Sequence, residues 1–108
     1  MQNSFTIYQL KDTEETRDYR FKPYYRLRAV GLKLDPANYE AVYTAPLSPD
    51  MSLDNIYALL NINRPADFTG HSLSVSDVIV IHKDGQHTAY YIDSFGYKYV
   101  PEFLRVSE

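Results

Sequence analysis

The chain has 108 residues, enough to bury one core but not two, so we expect residues 1–108 to form a single domain. Apolar residues make up 44% and charged residues 23%, which excludes a disordered chain, and the lack of cysteine excludes disulfides, thiolate nucleophiles and thiolate metal sites. The net charge of −3 argues against a general nucleic-acid binder, and no window is apolar over the length of a membrane span, so we expect a cytoplasmic protein without membrane contacts.

The first third of the chain predicts one strand and one short helix. Residues 4–10 are rich in β-branched and aromatic side chains, which favours a strand. Residues 11–18 are polar and charged, which is typical of a solvated loop or a frayed helical turn. Pro23, apolar residues at helical spacing and then Gly31 predict a short helix, because proline suits the first turn and glycine the position after the last.

The middle of the chain predicts a second strand and a second helix. Residues 39–45 alternate in polarity, so that Tyr39 and Tyr43 are expected on the same face of a strand. Ser52 is a good N-cap for a helix over residues 53–60, because its hydroxyl can accept a bond from a free amide of the first turn. The apolar stripe of this helix is expected to cover one face of the sheet.

The strongest local pattern is a hairpin over residues 75–93. Two runs rich in β-branched and aromatic residues flank the pair Asp84 and Gly85, which tolerate the positive φ of a tight turn. A two-residue turn places His82 opposite His87, whereas a three-residue loop would shift the pairing by one. Both faces of the hairpin are apolar in the middle, which predicts strands inside a sheet that is covered on both sides.

The end of the chain predicts a turn, a short strand and a last helical turn. In the turn, Gly96 is expected to adopt a special φ and Phe95 to pack down onto the protein; the alternative is that residues 93–96 form a surface loop for a partner. Residues 97–100 form the short strand and residues 101–104 the helical turn. Together these elements predict an α+β fold, with a small, mainly antiparallel sheet of four or five strands centred on the 75–93 hairpin and two short helices.

Basic residues are concentrated in residues 17–33, where six arginines and lysines stand against a single acid and alternate with aromatic residues. From residue 34 onward the acids outnumber the bases ten to four. This asymmetry predicts a basic, aromatic patch on an acidic body. The candidate contact residues of the patch are Arg20, Tyr24, Tyr25, Arg26 and Arg28.

Three interpretations of this patch are possible. Tyrosine and arginine are the usual anchors of protein interfaces, so we expect a protein partner. The alternative is an accessory protein that binds single-stranded nucleic acid, because cations neutralise phosphates while aromatic rings stack on unpaired bases. The third is a solvated helix whose charged residues face water while its tyrosines pack into the core. The sequence does not predict the oligomeric state.

Candidate catalytic and metal-binding groups are few. His82 and His87 can face each other, but a structural zinc site needs four protein ligands and a catalytic one usually three. A triad can be written from Ser72 or Ser94, His71, and Asp77 or Asp93, but no nucleophile elbow is present, and the adjacent His71 and Ser72 do not readily take base geometry. The position of Asp77 at the entry to a strand instead predicts that its side chain accepts hydrogen bonds from the backbone of a nearby turn. We therefore expect a protein that is not an enzyme and that uses no metal or cofactor.

Two segments resemble the YodL-like family. Residues 70–80 read GHSLSVSDVIV and residues 89–97 read AYYIDSFGY. The likeness extends upstream through residues 38–43 and the helix that begins at Leu53, so that it covers the chain from about Leu34 onward. The resemblance implies a cytosolic bacterial accessory module, often in proteins of mobile elements, that acts by binding. It brings no catalytic residues with it and says nothing about the basic patch.

Overall fold

The computed structural model describes residues 3–104, which form one antiparallel sheet covered by two helices. The strands lie in the order β2-β1-β3-β4-β5, and each neighbouring pair is antiparallel. The predicted α+β fold is confirmed. In chain order the elements are β1 (Ser4–Leu10), α1 (Tyr24–Ala29), β2 (Tyr39–Pro46), α2 (Leu53–Asn61), β3 (Val78–Lys83), β4 (Gln86–Ile92) and β5 (Tyr97–Tyr99), with 3-10 turns at Arg17–Tyr19, Pro36–Asn38 and Pro101–Leu104.

The β3–β4 hairpin lies at the centre of the sheet and has the predicted two-residue turn. Asp84 and Gly85 have φ values of 53° and 81°, the left-handed conformation that a tight primed turn requires. His82 pairs with His87, as the two-residue turn predicts, and the alternative three-residue loop is excluded. The twist of such a turn matches that of the strands, so the turn and the ladder favour the same register.

The sheet is buried on both faces, as the apolar middle of the hairpin predicts. On one face, Val80 belongs to a buried cluster that includes Leu27 of α1. On the other, Ile79 belongs to a cluster with Ile56 and Leu60 of α2. Successive residues of a strand point to opposite faces, so β3 contributes to both clusters at once. The apolar stripe of α2 covers the sheet as predicted.

The two helices begin and end with local hydrogen bonds. Ser52 and Asn55 form a reciprocal cap at the start of α2, in which the Ser52 Oγ accepts from the Asn55 amide at 3.1 Å. At the end of α1, Gly31 has a φ of 77°, and the amide of Leu32 donates to the carbonyl of Leu27 at 2.8 Å. Neither helix, nor any other within residues 3–104, is long and apolar enough to cross a membrane.

Strand β2 departs from the predicted alternation. The register of β1 and β2 shifts by one residue, and Val42 is the extra residue on β2. Tyr39 therefore packs against Phe103 on one face of the sheet, whereas Tyr43 packs against Phe68 on the other. The prediction that the two tyrosines share a face is wrong, because a bulge turns the side chains after it to the opposite face.

The substitution Ile79→Ala tests the importance of the central strand. Ile79 has no exposed surface, so its truncation leaves a cavity between the sheet and α2. We expect the free energy of unfolding in urea to fall by about 3 kcal/mol. The matched control is Ile62→Ala, because Ile62 is 77% exposed and its truncation should change stability by less than about 0.5 kcal/mol. Equal losses in the two variants would contradict a core centred on β3.

Candidate functional site

Helix α1 is tied to the end of the central hairpin. The Tyr24 amide, in the first turn of α1, donates to the Asp93 Oδ1 atom at 3.1 Å. The Tyr91 hydroxyl donates to the carbonyl of Lys22 at 2.5 Å, and the rings of Tyr24 and Tyr91 meet edge to face at 5.5 Å. A carboxylate at the start of a helix satisfies a free amide and complements the helix dipole. These contacts fix α1, with its basic residues, over one face of the sheet.

Four of the five predicted contact residues lie on α1. Tyr24 and Arg28 are four residues apart and therefore share a face, which borders a groove. Tyr25 is 67% exposed, and Arg26 is exposed as well. Tyr24 is half-buried against Tyr91, so the core-packing interpretation holds for Tyr24 but not for Tyr25.

The fifth predicted residue, Arg20, lies apart from the other four. Its guanidinium is 3.4 Å from a carboxylate oxygen of Asp12. It lines a second cleft of about 540 Å³, whose wall includes Glu40 and His71. Arg20 therefore does not belong to the surface formed by α1.

The groove beside α1 has a volume of about 760 Å³. It runs between α1 and the loop that follows it on one side and β5 with the last 3-10 turn on the other. Its apolar lining comes from Leu27, Leu32 and Leu34. Its polar and aromatic lining comes from Tyr24, Arg28, Lys33, Asp35, Lys98, Tyr99 and Glu102.

The two acids of the groove already have hydrogen-bond partners. The Tyr24 hydroxyl donates to the Glu102 carboxylate. Burial, followed by this bond to Glu102, raises the pKa of Tyr24 above its ordinary value, so the phenol remains a donor. The Asp35 Oδ1 atom accepts a bond from the Ala37 amide at 2.9 Å. Both carboxylates are thus already engaged in hydrogen bonds within the protein.

The cations of the groove have no carboxylate partner within residues 3–104. Within residues 3–104, Arg20 and Asp12 form the only ion pair, that is, the only basic and acidic side chains with nitrogen and oxygen within 4 Å. In this part of the chain Arg28, Lys33 and Lys98 are therefore without a carboxylate at ion-pair distance. The groove combines an apolar floor with three cations and two carboxylates that are already hydrogen-bonded, which suits an anionic ligand that also has apolar surface.

Two exposed phenylalanines were not among the predicted site residues. Phe95 is 98% exposed in the turn before β5, so the prediction that it packs down is wrong, although Gly96 has the expected positive φ of 78°. Phe21 is 64% exposed and has a φ of 57°, which is uncommon for an aromatic residue. Its amide donates to the Ser76 Oγ at 3.3 Å, which holds Phe21 beside the hairpin that carries α1. A turn pattern predicts a bend but not the direction of its side chains.

A buried polar cluster surrounds Asp77, which is 2% exposed. Its Oδ2 atom accepts bonds from the Ser74 amide at 3.0 Å and the Gln9 side chain at 3.2 Å, so the predicted bond to a neighbouring turn is confirmed. Burial raises the pKa of Asp77 to about 6, although the bond from Ser74, the nearby His71 and Arg20, and the bond from Gln9 oppose the rise. This cluster holds the chain before β3 against β1.

The arrangement around His71 differs from a catalytic triad. The Gln9 side-chain nitrogen lies 3.2 Å from both the His71 Nδ1 and the Asp77 Oδ2, so the amide stands between the imidazole and the carboxylate. The His71 Nδ1 is also 2.8 Å from the carbonyl of Ser72. A triad needs the acid to orient the base and the base to reach the hydroxyl. These contacts instead fold the 70–77 segment.

The histidine pair of the hairpin shares a hydrogen bond. The Nδ1 atoms of His82 and His87 are 2.6 Å apart, and the His82 Nε2 is 2.9 Å from the Thr6 Oγ1. Burial, and next the neighbouring His87, lower the pKa of His82. Within residues 3–104 no group of three or more histidine, aspartate or glutamate side chains could hold a metal ion.

The substitution Asp77→Asn tests the buried carboxylate. Because the folded-state pKa of Asp77 is raised from 3.8 to about 6, its contribution to stability is complete below pH 4 and is lost as the pH rises through about 6. The variant cannot lose this contribution, so its stability relative to wild type should increase by about 2 kcal/mol between pH 4 and pH 7. Urea unfolding at a series of pH values measures this difference. The exposed control Asp50→Asn should show no such change, and a difference independent of pH at residue 77 would refute the assignment.

The histidine pair predicts the opposite pH dependence. A lowered folded-state pKa means that the stability contributed by neutral His82 is complete above pH 6.5 and is lost as the pH falls. The substitution His87→Asn removes one of the two causes of the shift, so the variant should lose less stability than wild type between pH 7 and pH 5. Thermal unfolding over this range provides the measurement, with the exposed Gln86→Asn as control. A wild-type slope in His87→Asn would show that the pair is not coupled.

Comparison with known proteins gives one match. The YodL-like domain family matches residues 4–103. No curated protein and no solved structure matches the chain. The match begins well before Leu34, where the resemblance seen in the sequence was expected to start, and it includes residues 17–33 with α1. Because it covers nearly the whole chain, the protein belongs to the YodL-like domain family.

Proposed function

We propose that this protein is a non-enzymatic interaction module that binds a protein partner through α1. The contact surface, called here the α1 surface, consists of Tyr24, Tyr25, Arg26 and Arg28. The observation that supports it best is that the cations beside α1 have no carboxylate partner in residues 3–104 while Tyr25 is largely exposed. Arg20 is left out of the surface because it lies in another cleft.

The physical argument rests on what such residues contribute to binding. Tyr25 offers a large apolar ring with few rotatable bonds, so its burial in an interface costs little conformational entropy. Arg26 and Arg28 can each form paired hydrogen bonds with a carboxylate. Phe21 and Phe95 add exposed apolar area near the first turn of α1. Aromatic rings and arginines of this kind supply most of the binding energy in protein interfaces.

The proposed setting is the cytosol of a bacterium, in some cases within a protein of a mobile element. This part of the proposal is supported by the resemblance to the YodL-like family. The proposal that the protein is not an enzyme is supported by the polar cluster, in which Gln9 separates His71 from Asp77.

A second candidate function is the binding of single-stranded nucleic acid by the same surface. The exposed rings of Phe21, Tyr25 and Phe95 favour it, because unpaired bases stack on such rings beside cations. The acidic remainder of the chain opposes it. Anisotropy of a labelled oligothymidylate distinguishes the two: a nucleic-acid binder would bind it at low salt and lose affinity steeply as salt rises.

The double substitution Arg26→Glu and Arg28→Glu tests the proposed function. Reversal of two exposed charges should reduce the capture of the specific partner from extracts of the host cells by at least about tenfold, because each reversed contact changes from attraction to repulsion. Quantitative mass spectrometry of the captured proteins gives the measurement. The matched control is Lys83→Glu, an exposed charge reversal beside the hairpin turn, which should leave capture unchanged. If the double variant captures the same proteins in the same amounts, the α1 surface is not the interface.

A further inference from the structure

The groove beside α1 has the dimensions of a ligand site. Its volume of about 760 Å³ lies within the range of about 300–1,000 Å³ that is usual for small-ligand sites. Leu27 and Leu34 form a floor that is already packed into the core, and half-buried Leu32 lies beside them. An apolar side chain that enters the groove would therefore meet a floor held by the fold.

The rim of the groove carries cations on both sides, together with the carboxylates of Asp35 and Glu102, each of which already accepts a hydrogen bond from within the protein. Arg28 lies on the α1 side, Lys33 on the loop after α1, and Lys98 on β5. The three cations come from different elements, so a ligand in the groove would have positive charge on both flanks. Since none of them has a carboxylate within 4 Å in residues 3–104, an incoming carboxylate would not need to displace an existing ion pair.

The rim is also held in place. The Lys98 ammonium lies over the Tyr24 ring, 5.7 Å from its centroid. The Tyr24 hydroxyl is bonded to Glu102, and its ring packs on buried Tyr91. Side chains that are ordered before binding lose less entropy on binding. Lys98 is thus ordered beside the apolar floor before a ligand binds.

Building on the proposed function, we infer that the groove receives an acidic linear segment of the protein partner, with an apolar side chain on the floor and carboxylates against Arg28, Lys33 and Lys98. Charge complementarity favours this occupant, because the lining has three cations against two carboxylates, and both carboxylates already accept a hydrogen bond, one from the Tyr24 hydroxyl and one from the Ala37 amide. The apolar floor distinguishes it from a nucleic-acid strand, whose phosphates would satisfy the rim and leave the leucines without a partner. The bound segment determines how the partner is aligned on the protein. Tyr25 and Arg26 add contacts outside the groove.

The test uses synthetic peptides of about eight residues, which reach about 27 Å when extended. A fluorescein-labelled peptide of glutamates and aspartates around two leucines is titrated with the full chain. Two comparison peptides replace the leucines by serine or all acids by lysine, and labelled oligothymidylate is the fourth probe. We expect the acidic leucine peptide to bind at least about tenfold more tightly than the other three probes, and its affinity to fall as salt rises.

Variants and spectra locate the bound peptide. Charge reversal in Lys98→Glu should weaken binding of the acidic leucine peptide at least about fivefold, and Lys33→Glu, on an exposed loop residue, should do the same if Lys98→Glu disturbs the fold. Lys83→Glu should leave the affinity unchanged. In amide NMR spectra the shifts should be confined to the groove, with Leu27 and Gly31 among the residues affected.

Several results would overturn the inference. These are equal affinity for the serine peptide, tighter binding of oligothymidylate, or unchanged affinity in both Lys98→Glu and Lys33→Glu. Failure of the groove assignment is distinct from failure of the proposed function. If the Arg26 and Arg28 reversal releases the cellular partner while no acidic peptide binds, the groove assignment alone fails. If the peptide binds the groove while capture resists that reversal, the α1 surface fails as the partner interface and the groove assignment stands.

Discussion

The register of β3 and β4 is the constraint on which the rest of the structure depends. Because successive side chains of a strand alternate between faces, a slip of one residue would bring Ile79 to the face of α1 and Val80 to the face of α2. Both faces are buried, so the slip would disturb two cores at once. The turn at Asp84 and Gly85 adopts the left-handed backbone conformation that this register needs. Local turn chemistry and long-range burial therefore select the same pairing, which is typical of a sequence with one native state.

The surface proposed for binding exists only because α1 is docked on that hairpin. A helix of six residues is far too short to be stable alone, since the cost of its first turn is not recovered within its length. Its stability comes from Leu27 in the core, from the bond between the Tyr24 amide and Asp93, and from the contact of Tyr24 with Tyr91. Arg26 and Arg28 contribute a favourable charge near the end of the helix. Their position next to a groove is thus a consequence of core packing on the opposite side of α1.

Local chemistry made much of the fold predictable from the sequence, because turns, caps and alternation depend on neighbouring residues. The hairpin, its register and the caps at Ser52 and Gly31 are of this kind. The groove is not, since it joins residues 24–35 to Lys98 and the residues around it, and no local pattern relates segments so far apart. The bulge in β2 and the outward direction of Phe95 were mispredicted for a related reason. Each depends on where neighbouring elements leave space, and no local sequence pattern shows this.

The net negative charge of the chain disfavours the binding of an acidic ligand, but the short distances between charges inside the groove outweigh this effect. Electrostatic interactions in water at physiological salt are screened over about 8 Å, whereas the molecule extends 38 × 30 × 24 Å. Exposed acids that do not line the groove, such as Asp50 and Asp84, therefore act mainly on the ligand's approach, and the two acids that line it, Asp35 and Glu102, already accept hydrogen bonds. Carboxylates inside the groove would be within a few ångströms of Arg28, Lys33 and Lys98, where attraction is strongest and water is partly excluded. Contact distances rather than net charge then decide affinity, and the overall negative charge limits association to ligands that also fit the apolar floor.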